Sequence, residues 1–568
     1  MTPIDRAQVW LSHPFDSATQ KSVQQLIEND QEALGDAFYK DLEFGTGGMR
    51  GVLGVGTNRI NAYTLGRATQ GLSNYLNQSF DLDTIAVVIA YDCRYQSEEL
   101  SRLVARIFSA NGIQVYLFSA LRTTPELSFA VRQLNAQAGI VLTASHNPPE
   151  YNGYKVYWED GAQIVPPQDQ EIIDEIGKVN YADIRFETVP SHIQLIDKEV
   201  DEAFFEASVN NGAIGKGDRE AFSLVFTPIH GTSITAIPQV FEKAGYTQVH
   251  IVEDQAIIDP NFSTVKSPNP EEREALDMAL SLAEKKKADM VIGTDPDSDR
   301  LGVAVRDLNG EMHLLNGNQT MVVLTEFLLQ HHRRVGFKGN EFIASTIVST
   351  PLIRKMAEAY KVQYRETLTG FKWIGKLIND HPELKFLGGG EESYGYLVGD
   401  FVRDKDAVTA SLLAAELAAE LKTKGQTLLS YLIDCFVNYG CYQERLLSIT
   451  KKGQSGAAEI QEMMKRFRAH PPENIAGEKL LFTEDYLTQT KTDQLNKEQF
   501  AIDLPKADVF ILETEKGSRI AARPSGTEPK IKFYFSVNEP LQSVADYTLV
   551  KNRLEKRIDR LIEALDLN

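Results

Sequence analysis

A serine, a histidine and a lysine occur close together in a segment that the sequence predicts to be an exposed loop. The segment runs Thr143-Ala-Ser145-His146-Asn-Pro-Pro-Glu-Tyr-Asn-Gly-Tyr-Lys155 and follows the apolar run 139–142, a predicted strand. Its prolines and its Asn-Gly pair favour a turn. Ser145 is the group in this loop suited to carry a covalent group. The alternative is a polar loop with a helix-capping serine, but three more loops whose chemistry fits a phosphate argue against it.

Three aspartates alternate directly after another predicted strand. Asp295, Asp297 and Asp299 follow the apolar run 290–293. Carboxylates so close together repel, so they either face water as a solvated acidic turn or share a cation. Oxygen ligands without Cys or His select a hard ion, Mg²⁺ first and Ca²⁺ or Mn²⁺ next. The run begins like a calcium loop but lacks the glycine at position six and the glutamate at position twelve, which is Arg306 here.

Two further loops have groups that suit a phosphosugar. Gly388-Gly-Gly-Glu391-Glu-Ser393 combines backbone access with a carboxylate and a hydroxyl, the groups that bind sugar hydroxyls. Arg523-Pro-Ser525-Gly526-Thr527 lies between two predicted strands, and its guanidinium, hydroxyls and amides suit a phosphate dianion. The alternative for the second is a simple hairpin.

A fifth segment, which is rich in glycine, precedes all of these. The segment 44–51, Phe-Gly-Thr-Gly-Gly-Met-Arg-Gly, contains Arg50, and its glycines predict neither a stable helix nor a stable strand interior. Such a segment brings backbone N–H groups close to a ligand, or else it is a flexible hairpin.

Length and composition limit the classes of function. The 568 residues predict three to five domains at roughly 150 residues each. The net charge of -20 argues against nucleic acid and an anionic membrane surface as partners. Three cysteines fit neither a disulfide framework nor a zinc site. We find no signal peptide pattern and no apolar run near the ~20 residues of a membrane span, so we expect a cytoplasmic protein.

Repeated strand, turn and helix patterns must position these loops. The apolar strand 85–90 is followed by Asp92 and Arg94, a helix over 97–110 and a strand over 113–118. The same order recurs after 222 and after 342, which predicts three α/β domains with mixed or parallel sheets, or else one large sheet. Polar stretches near 200–220 and 325–340 favour separate domains.

The last part of the chain has a different pattern. Short strands over 509–512, 519–522 and 532–535 precede an amphipathic helix over 544–565. This pattern predicts an antiparallel sheet with helices, an α+β domain.

Together, the loops resemble the four signature loops of the α-D-phosphohexomutases, in the family's order and over nearly the whole chain. Gly45-Thr-Gly-Gly-Met-Arg50 is similar to the family's N-terminal loop. The resemblance implies three similar α/β domains and a C-terminal α+β domain around a central cleft. The implied domains are 1–207 with the phosphoserine loop, 208–325 with the metal loop, 326–442 with the sugar-binding loop, and 443–568 with the phosphate-binding loop.

The resemblance also implies roles for single residues. Ser145 is implied to carry phosphate and, with Asp295, Asp297 and Asp299, to bind Mg²⁺. Lys155 and Arg50 are implied at the transfer site, where we expect nearby cations to lower the pKa of Lys155 so that it acts as a base, with His146 as second candidate. The implied substrate-binding residues are Arg300, Thr369, Gly370, Glu391, Ser393, Lys405, Arg523, Ser525, Gly526 and Thr527.

The activity implied is that of a phosphosugar mutase, an intramolecular phosphotransferase that interconverts hexose 1-phosphate and hexose 6-phosphate. It would use Mg²⁺ and a sugar 1,6-bisphosphate as intermediate and activator. Ser393 is followed by Tyr394-Gly-Tyr396 and not by the Gly-His of phosphomannomutase types, so the chain looks most like the phosphoglucomutase type. Phosphomannomutase or phosphopentomutase specificity is the alternative.

Two rival functions belong to other classes, a metal-dependent sugar phosphatase and a non-catalytic sugar-phosphate binding protein. We expect a small phosphosugar as partner, no nucleic acid or membrane, and a monomer or homodimer.

Overall fold

A computed structural model of the chain describes residues 1–45, 47–451, 453–525 and 530–567. These residues form two compact units. The first consists of Met1–Gly317, Phe371–Gly388 and Ser393–Gly425, and the second of Asn318–Gly370, Gly389–Glu392 and the described part of Gln426–Asn568.

The helices and strands of the first 315 residues alternate along most of this region. They are α1 (Pro3–Val9), α2 (Ser17–Asn29), α3 (Gln31–Phe38), β1 (Gly48–Val52), α4 (Ala62–Ser79), β2 (Ala86–Tyr91), α5 (Ser97–Ala110), β3 (Gln114–Phe118), α6 (Thr124–Gln133), β4 (Ala138–Leu142), β5 (Tyr151–Trp158), α7 (Gln168–Lys178), β6 (Ile193–Ile196), α8 (Lys198–Gly212), β7 (Ser223–Thr227), α9 (Ile237–Ala244), β8 (Gln248–Ile251), α10 (Glu253–Ala256), α11 (Asp277–Lys286), β9 (Met290–Thr294), β10 (Leu301–Arg306) and β11 (Met312–Leu315).

The remaining elements change from an alternating to a strand-rich pattern. They are α12 (Gly317–Val335), β12 (Glu341–Thr346), α13 (Leu352–Tyr360), β13 (Gln363–Thr367), α14 (Lys372–Asp380), β14 (Lys385–Glu391), β15 (Gly395–Val398), α15 (Ala407–Thr423), α16 (Leu428–Tyr439), β16 (Cys441–Thr450), α17 (Gly453–Ala469), β17 (Asn474–Ile475), β18 (Glu478–Asp485), β19 (Thr490–Asp493), β20 (Gln499–Ala501), β21 (Phe510–Thr514), β22 (Arg519–Pro524), β23 (Lys530–Glu539) and α18 (Tyr547–Ala564).

The first sheet is mixed and has the strand order β1-β5-β4-β2-β3-β6. The strands β4, β2, β3 and β6 are parallel, as expected from the helices between them. At one edge, β5 pairs antiparallel with β4, and β1 pairs antiparallel with β5. Every residue of β2 and β4 is buried. The carboxyl ends of these two central strands therefore place the segments after residues 91 and 142 at the same edge of the sheet.

The glycine-rich segment around Arg50 was expected to be a loop, but its second half is strand β1. Gly48 pairs with Lys155 and Arg50 with Gly153 on β5. A Cβ atom on Gly48 would lie 1.9 Å from the carbonyl oxygen of Tyr154. The glycine permits this close strand approach, so the expectation that no strand forms here is wrong.

The second sheet has the order β11-β10-β9-β7-β8, again with a parallel part and an antiparallel edge. The strands β8, β7 and β9 are parallel, while β10 and β11 form an antiparallel meander beside β9. The buried strand β9 ends at Thr294, directly before the three aspartates.

A third α/β region alternates β12, α13, β13, α14, β14 and β15. In the second unit, β12 and β13 pair in parallel. The polar stretches that we expected to separate domains fall largely in helices α8 and α12. The glycines of the sugar loop also lie inside a strand, β14, and a Cβ atom on Gly389 would lie 2.2 Å from the carbonyl oxygen of Ala344. The prediction of a glycine-rich loop there is wrong, because the glycines allow close packing of backbone.

The C-terminal sheet is antiparallel, with β16, β23, β22, β21, β18, β19 and β20 in order and β17 paired to β18. Helices α17 and α18 accompany it, and Leu554, Ile558 and Leu561 of α18 are buried. Three α/β regions with mixed sheets and a C-terminal α+β region are thus confirmed. In the part of the chain that is described, no helix is long and apolar enough to cross a membrane.

Candidate active site

Ser145 lies in the connection between the antiparallel strands β4 and β5, and its side chain is buried. Its backbone is left-handed, with φ of 51°, which is uncommon for a residue with a side chain. Its N–H donates to Thr143 Oγ1 at 2.9 Å. Its hydroxyl donates to Asp295 Oδ2 at 2.7 Å, and His146 Nδ1 lies 3.0 Å from Ser145 Oγ. The serine hydroxyl is therefore held against the predicted metal loop.

The three aspartates converge after β9. Asp295, Asp297 and Asp299 each place a carboxylate oxygen within 4.8 Å of the others, and all three are at most 2% exposed. Burial, with the charges of Asp299 and Asp297, raises the pKa of Asp295 well above its usual value. Asp297 Oδ1 and Asp299 Oδ1 are buried and have no hydrogen-bond partner among the described residues. A hard cation with oxygen ligands would satisfy these oxygens, so the residues fit the predicted metal.

Segments far away in sequence hold this acidic loop in place. Thr124, at the start of α6, donates its N–H to Asp297 O and its hydroxyl to Asp297 Oδ2, both at 2.9 Å. Thr232 N donates to Pro296 O at 2.8 Å. A Cβ atom on Gly231 would lie 2.5 Å from Pro296 Cα, so only glycine fits there. These contacts fix the direction of the carboxylates.

Two lysines neutralise part of the negative charge. Lys155 Nζ lies 2.6 Å from Asp297 Oδ2 and 3.0 Å from Asp299 Oδ2, and Lys405 Nζ lies 3.1 Å from Asp299 Oδ2. Burial disfavours the charged form of Lys155, but Asp297 and Asp299 outweigh it and raise the pKa of this lysine. The expectation of a lowered pKa is wrong, because the chain surrounds Lys155 with carboxylates more closely than with cations. Burial likewise disfavours the charged Asp299, yet Lys155 and Lys405 hold its pKa well below the usual range.

A second group of polar side chains surrounds the serine loop. Burial, followed by the Arg300 and Arg50 cations, holds the pKa of His146 well below its usual value. Arg50 is exposed and donates to Asn147 Oδ1 at 2.8 Å, while Arg300 pairs with Glu271. His146 is thus neutral near pH 7 and able to accept a proton.

Arg94 is a part of the site that the sequence did not assign. The sequence placed it only after β2, but its guanidinium donates to the backbone carbonyl oxygens of Ser145 and Asn147.

Asp404 is a second residue of the site that the sequence did not assign. It accepts from Tyr157 Oη at 2.8 Å and lies 3.5 Å from the Lys405 ammonium. The sequence shows the alternating charged residues of the segment 403–406, but it does not show that Tyr157 is the hydrogen-bond partner of Asp404.

The second unit contains the remaining candidates. Glu391, at the end of β14, is 5% exposed, and its neighbour Glu392 accepts from Thr346 Oγ1 and Ser349 Oγ, each at 3.1 Å. Thr369 Oγ1 is buried without a hydrogen-bond partner among the described residues, and Gly370 has φ of 109°. Ser393, by contrast, belongs to the first unit.

The predicted phosphate loop leaves the end of β22. Arg523 is half-buried, Ser525 is exposed and Ser525 N donates to Lys530 O at 2.7 Å. Burial and Glu392 raise the pKa of Tyr534, and Arg523 offsets part of the rise, so Glu392 and Arg523 both lie near this hydroxyl. Gly526 and Thr527 lie outside the described residues.

Known protein families match most of the chain. Models described as Phosphoglucomutase/phosphomannomutase, alpha/beta/alpha domains I, II and III match residues 41–183, 202–310 and 316–438. A phosphoglucomutase of Staphylococcus aureus (strain MRSA252) is 40% identical over 542 residues, which cover 94% of this chain and 96% of that protein. A phosphoglucomutase of Staphylococcus haemolyticus (strain JCSC1435) is 38% identical over 533 residues, covering 93% and 96%.

Solved structures share the fold. The open form of a Paramecium phosphoglucomutase, pp63/parafusin, gives a TM-score of 0.69 at 19% identity and covers 93% of this chain and 95% of that one. A phosphoglucomutase/phosphomannomutase family protein from Burkholderia thailandensis gives 0.65 at 19% identity, covering 92% and 97%.

Proposed function

Because the chain belongs to the phosphoglucomutase/phosphomannomutase family, we propose that it acts on glucose phosphates through a phosphoryl group carried on Ser145. The chain is an isomerase that interconverts hexose 1-phosphate and hexose 6-phosphate, and its family supports a metal cofactor. Glucose is the proposed hexose because the relatives that cover nearly the whole chain are named phosphoglucomutase.

One observation carries the proposal. Ser145 Oγ lies 2.7 Å from Asp295 Oδ2, so a nucleophilic hydroxyl is in direct contact with a buried triad of carboxylates. A sugar-binding protein has no use for a hydroxyl placed this way, whereas a phosphoryl carrier needs its oxygen beside a cation.

Mg²⁺ is the proposed metal, held by Asp295, Asp297, Asp299 and an oxygen on Ser145. When bound, it neutralises charge on the phosphoryl group and makes the serine oxygen a better leaving group. Asp297 Oδ1 and Asp299 Oδ1, which are buried without a hydrogen-bond partner in the described part of the chain, support this assignment. Their oxygen-only chemistry favours Mg²⁺ over softer metals.

The cationic side chains of the first unit would stabilise the transferred group. Phosphoryl transfer depends mostly on positioning and charge stabilisation around a loose transition state. Lys155 stays protonated because its pKa is raised, so we assign it to the phosphoryl oxygens and not to proton removal. Arg50, Arg300 and Lys405 are the further cations proposed for this role.

Each half-reaction moves one phosphoryl group. In the first, a sugar hydroxyl attacks phosphorus, the new P–O bond forms as the bond to Ser145 Oγ breaks, and a sugar 1,6-bisphosphate results. His146 is the proposed acceptor of the hydroxyl proton, because it is neutral and adjoins Ser145 Oγ at 3.0 Å. In the second, Ser145 Oγ attacks the phosphorus of the other phosphate, the bond from that phosphorus to the sugar oxygen breaks, and the sugar oxygen takes back the proton from His146. Free sugar bisphosphate would reactivate enzyme that has lost its phosphate.

Substrate recognition is assigned to the remaining loops. Glu391 and Ser393 are proposed to bind sugar hydroxyls, and Thr369 and Gly370 to contact the substrate. Arg523, Ser525, Gly526 and Thr527 are proposed to hold the phosphate that is not being transferred. The buried hydroxyl of Thr369, which has no hydrogen-bond partner among the residues that the structure describes, and the cation of Arg523 support these roles.

The domain boundaries 1–207, 208–325, 326–442 and 443–568 are proposed as one domain per loop. We also propose a cytoplasmic location and a monomer or homodimer. The net charge of -20 supports the further proposal that the protein has no nucleic-acid partner.

The test combines a substrate comparison with a mass measurement. Glucose, mannose and ribose 1-phosphates are assayed side by side, and we expect the highest kcat/KM with glucose 1-phosphate. Intact-mass analysis of purified wild type should show a phosphorylated fraction that is absent in Ser145→Ala, whose turnover falls at least ~10³-fold because the carrier is gone. Near-normal turnover in Ser145→Ala, or release of inorganic phosphate as the main product, would refute the proposal.

A further inference from the structure

We propose that Arg94 is a positioning residue that fixes the backbone of the Ser145 loop for phosphoryl transfer. Its side chain is fully buried, so it does not touch substrate. The guanidinium donates through Nη1 to the carbonyl oxygens of Pro148 at 2.8 Å and Tyr151 at 3.0 Å. Through Nη2 it donates to the carbonyl oxygens of Ser145 and Asn147. One side chain thus holds three carbonyls of the Ser145 loop and the first carbonyl of β5.

The guanidinium is itself anchored to the first sheet. Its Nε lies 3.3 Å from Asp92 Oδ2, and both charged side chains are fully buried. Asp92 Oδ1 accepts from Arg94 N at 2.9 Å and from Ser97 Oγ at 2.8 Å, which ties the pair to the start of α5. The four hydrogen bonds of the guanidinium are thus made by Nη1 and Nη2, while Nε contributes an ion pair with Asp92.

An aromatic ring from the segment after α10 covers the same guanidinium. The Cζ atom of Arg94 lies 5.1 Å from the centre of the Phe262 ring, within the range of a cation–π contact. Phe262 is 1% exposed, and its backbone is fixed by hydrogen bonds to Asp259 and Val265. Arg94 is thus held from both sides and has little freedom to follow a moving loop.

The positioning role follows from the conformation of Ser145. A left-handed serine costs on the order of 1–3 kcal/mol and persists only where neighbours enforce it. Thr143 Oγ1 engages the N–H of Ser145 and Arg94 engages its carbonyl. With both backbone groups fixed, the hydroxyl points at Asp295 and His146. Without Arg94, the loop loses three hydrogen bonds and its junction with β5 loses a fourth, so the hydroxyl loses its fixed direction.

The inference rests on the proposed function of Ser145, and its main test is Arg94→Lys. Lysine keeps the positive charge, but its single ammonium has three donors and cannot span four carbonyls and a carboxylate. Because a displacement of about 1 Å at a reacting group costs up to ~100-fold, we expect kcat to fall about 10- to 100-fold. KM should stay within roughly threefold of wild type, since the substrate contacts are intact.

The control is Arg102→Lys on α5, an arginine that is exposed and pairs with Glu98 one turn away. Its kcat and KM should equal those of wild type. The phosphorylation of Ser145 by glucose 1,6-bisphosphate is followed by intact mass, per folded protein, in all variants. It should slow in Arg94→Lys in parallel with kcat. A variant that is only less stable would lose folded protein but keep the rate per folded molecule.

A second variant keeps the proposal testable if Arg94→Lys does not fold. Phe262→Leu removes the ring but keeps the guanidinium and its acceptors, so a kcat loss of about 3- to 10-fold at unchanged KM is expected. A kcat within twofold of wild type in the folded Arg94→Lys variant, or in Phe262→Leu when the first does not fold, overturns the inference. Wild type without phosphoserine would instead overturn the proposed function, so the two failures are distinguishable.

Discussion

Individual charges decide what each group of the candidate site does. Lys155 and His146 were both candidate bases, and only their surroundings separate them. Lys155 contacts two carboxylates, which stabilise its ammonium, whereas His146 is buried near the cations of Arg50 and Arg300, which disfavour its imidazolium. The lysine is therefore charged and the imidazole neutral, which supports the proposal that Lys155 contributes charge and His146 is the proton acceptor. The types of residue were visible in the sequence, but the partners that set their pKa values were not.

The acidic triad gives the first prediction at this scale. EDTA should abolish turnover and Mg²⁺ should restore it. Asp297→Asn keeps the shape of the side chain but removes a charged ligand, which corresponds to roughly 1.5–3 kcal/mol and so to about 10- to 150-fold weaker Mg²⁺ binding by calorimetry. Asp559→Asn is the control, because Asp559 is exposed on α18 and pairs with Arg445, outside both carboxylate groups that could hold a metal ion. Full activity of chelated, metal-free enzyme would contradict the metal assignment.

At the scale of strands and loops, the site depends on backbones that approach closely. The sequence correctly predicted that Ser145 and the aspartates follow buried strands, because apolar runs followed by turn residues are a local signal. It failed at β1 and β14, where glycines allow contact with strands that are distant in sequence. It also missed Arg94 and Gly231, whose roles depend on which remote loop they meet. Local patterns thus predict where polar loops begin, but not what holds them.

Gly231 tests this dependence on close approach. In Gly231→Ala the new Cβ atom would lie 2.5 Å from Pro296 Cα, so the acidic loop must shift. We expect at least about tenfold lower kcat together with weaker Mg²⁺ binding, because Asp295 and Asp297 flank Pro296. Gly177→Ala is the control, since a Cβ atom there meets nothing within 4 Å. It lies in α7 and should leave activity unchanged while stabilising the protein by about 0.5–1 kcal/mol. Unchanged Mg²⁺ affinity in Gly231→Ala would contradict this account.

The strand β16 gives a prediction about pH. Burial raises the pKa of Glu444 to about 7, with Thr350 and Ser536 opposing the rise. A carboxyl group with a raised folded-state pKa contributes stability that is complete below its unfolded pKa, ~4.3, and is lost as pH rises through about 7. Wild type should therefore lose stability between pH 5 and pH 8, whereas Glu444→Gln, which cannot ionise there, should not. We expect the difference in the free energy of unfolding, variant minus wild type, to rise by on the order of 2 kcal/mol between these pH values in denaturant titrations. If the denaturation midpoints of Glu444→Gln and wild type differed by the same amount at pH 5 and at pH 8, Glu444 would not titrate in this range.

For the whole molecule, the order of elements was more predictable than its division into compact units. Alternating strands and helices followed by a strand-rich end predicted three α/β regions and an α+β region. The structure contains all four, and the family models match the three α/β regions. The compact units, however, do not follow sequence order. Phe371–Gly388 and Ser393–Gly425 belong to the first unit, although Asn318–Gly370 belongs to the second. Composition cannot reveal such a division, because it depends on which surfaces pack together.

This division separates the proposed chemistry from one of the proposed binding loops, since Ser145 and the aspartates belong to the first unit and Arg523 to the second. In Arg523→Ala, a charge-assisted contact of roughly 1.5–3 kcal/mol is lost, so the apparent substrate affinity should weaken about 10- to 150-fold. Turnover should also fall, because remote binding energy helps to orient the reacting centre. Ser145 should still accept phosphate from glucose 1,6-bisphosphate, because the residues around it are unchanged.

The sharper measurement on Arg523→Ala is the fate of the intermediate. A sugar bisphosphate must stay bound while it reorients between the two half-reactions, so a variant with a weaker grip should release more of it per turnover. Quenched reactions analysed for free hexose bisphosphate measure this release, and Arg560→Ala, on the exposed face of α18, serves as the matched control. If Arg523→Ala kept wild-type affinity and released no extra bisphosphate, the loop after β22 would be only a connection between strands. The distal phosphate would then be held by other residues, and the assignment of Ser525 and Thr527 would be lost with that of Arg523.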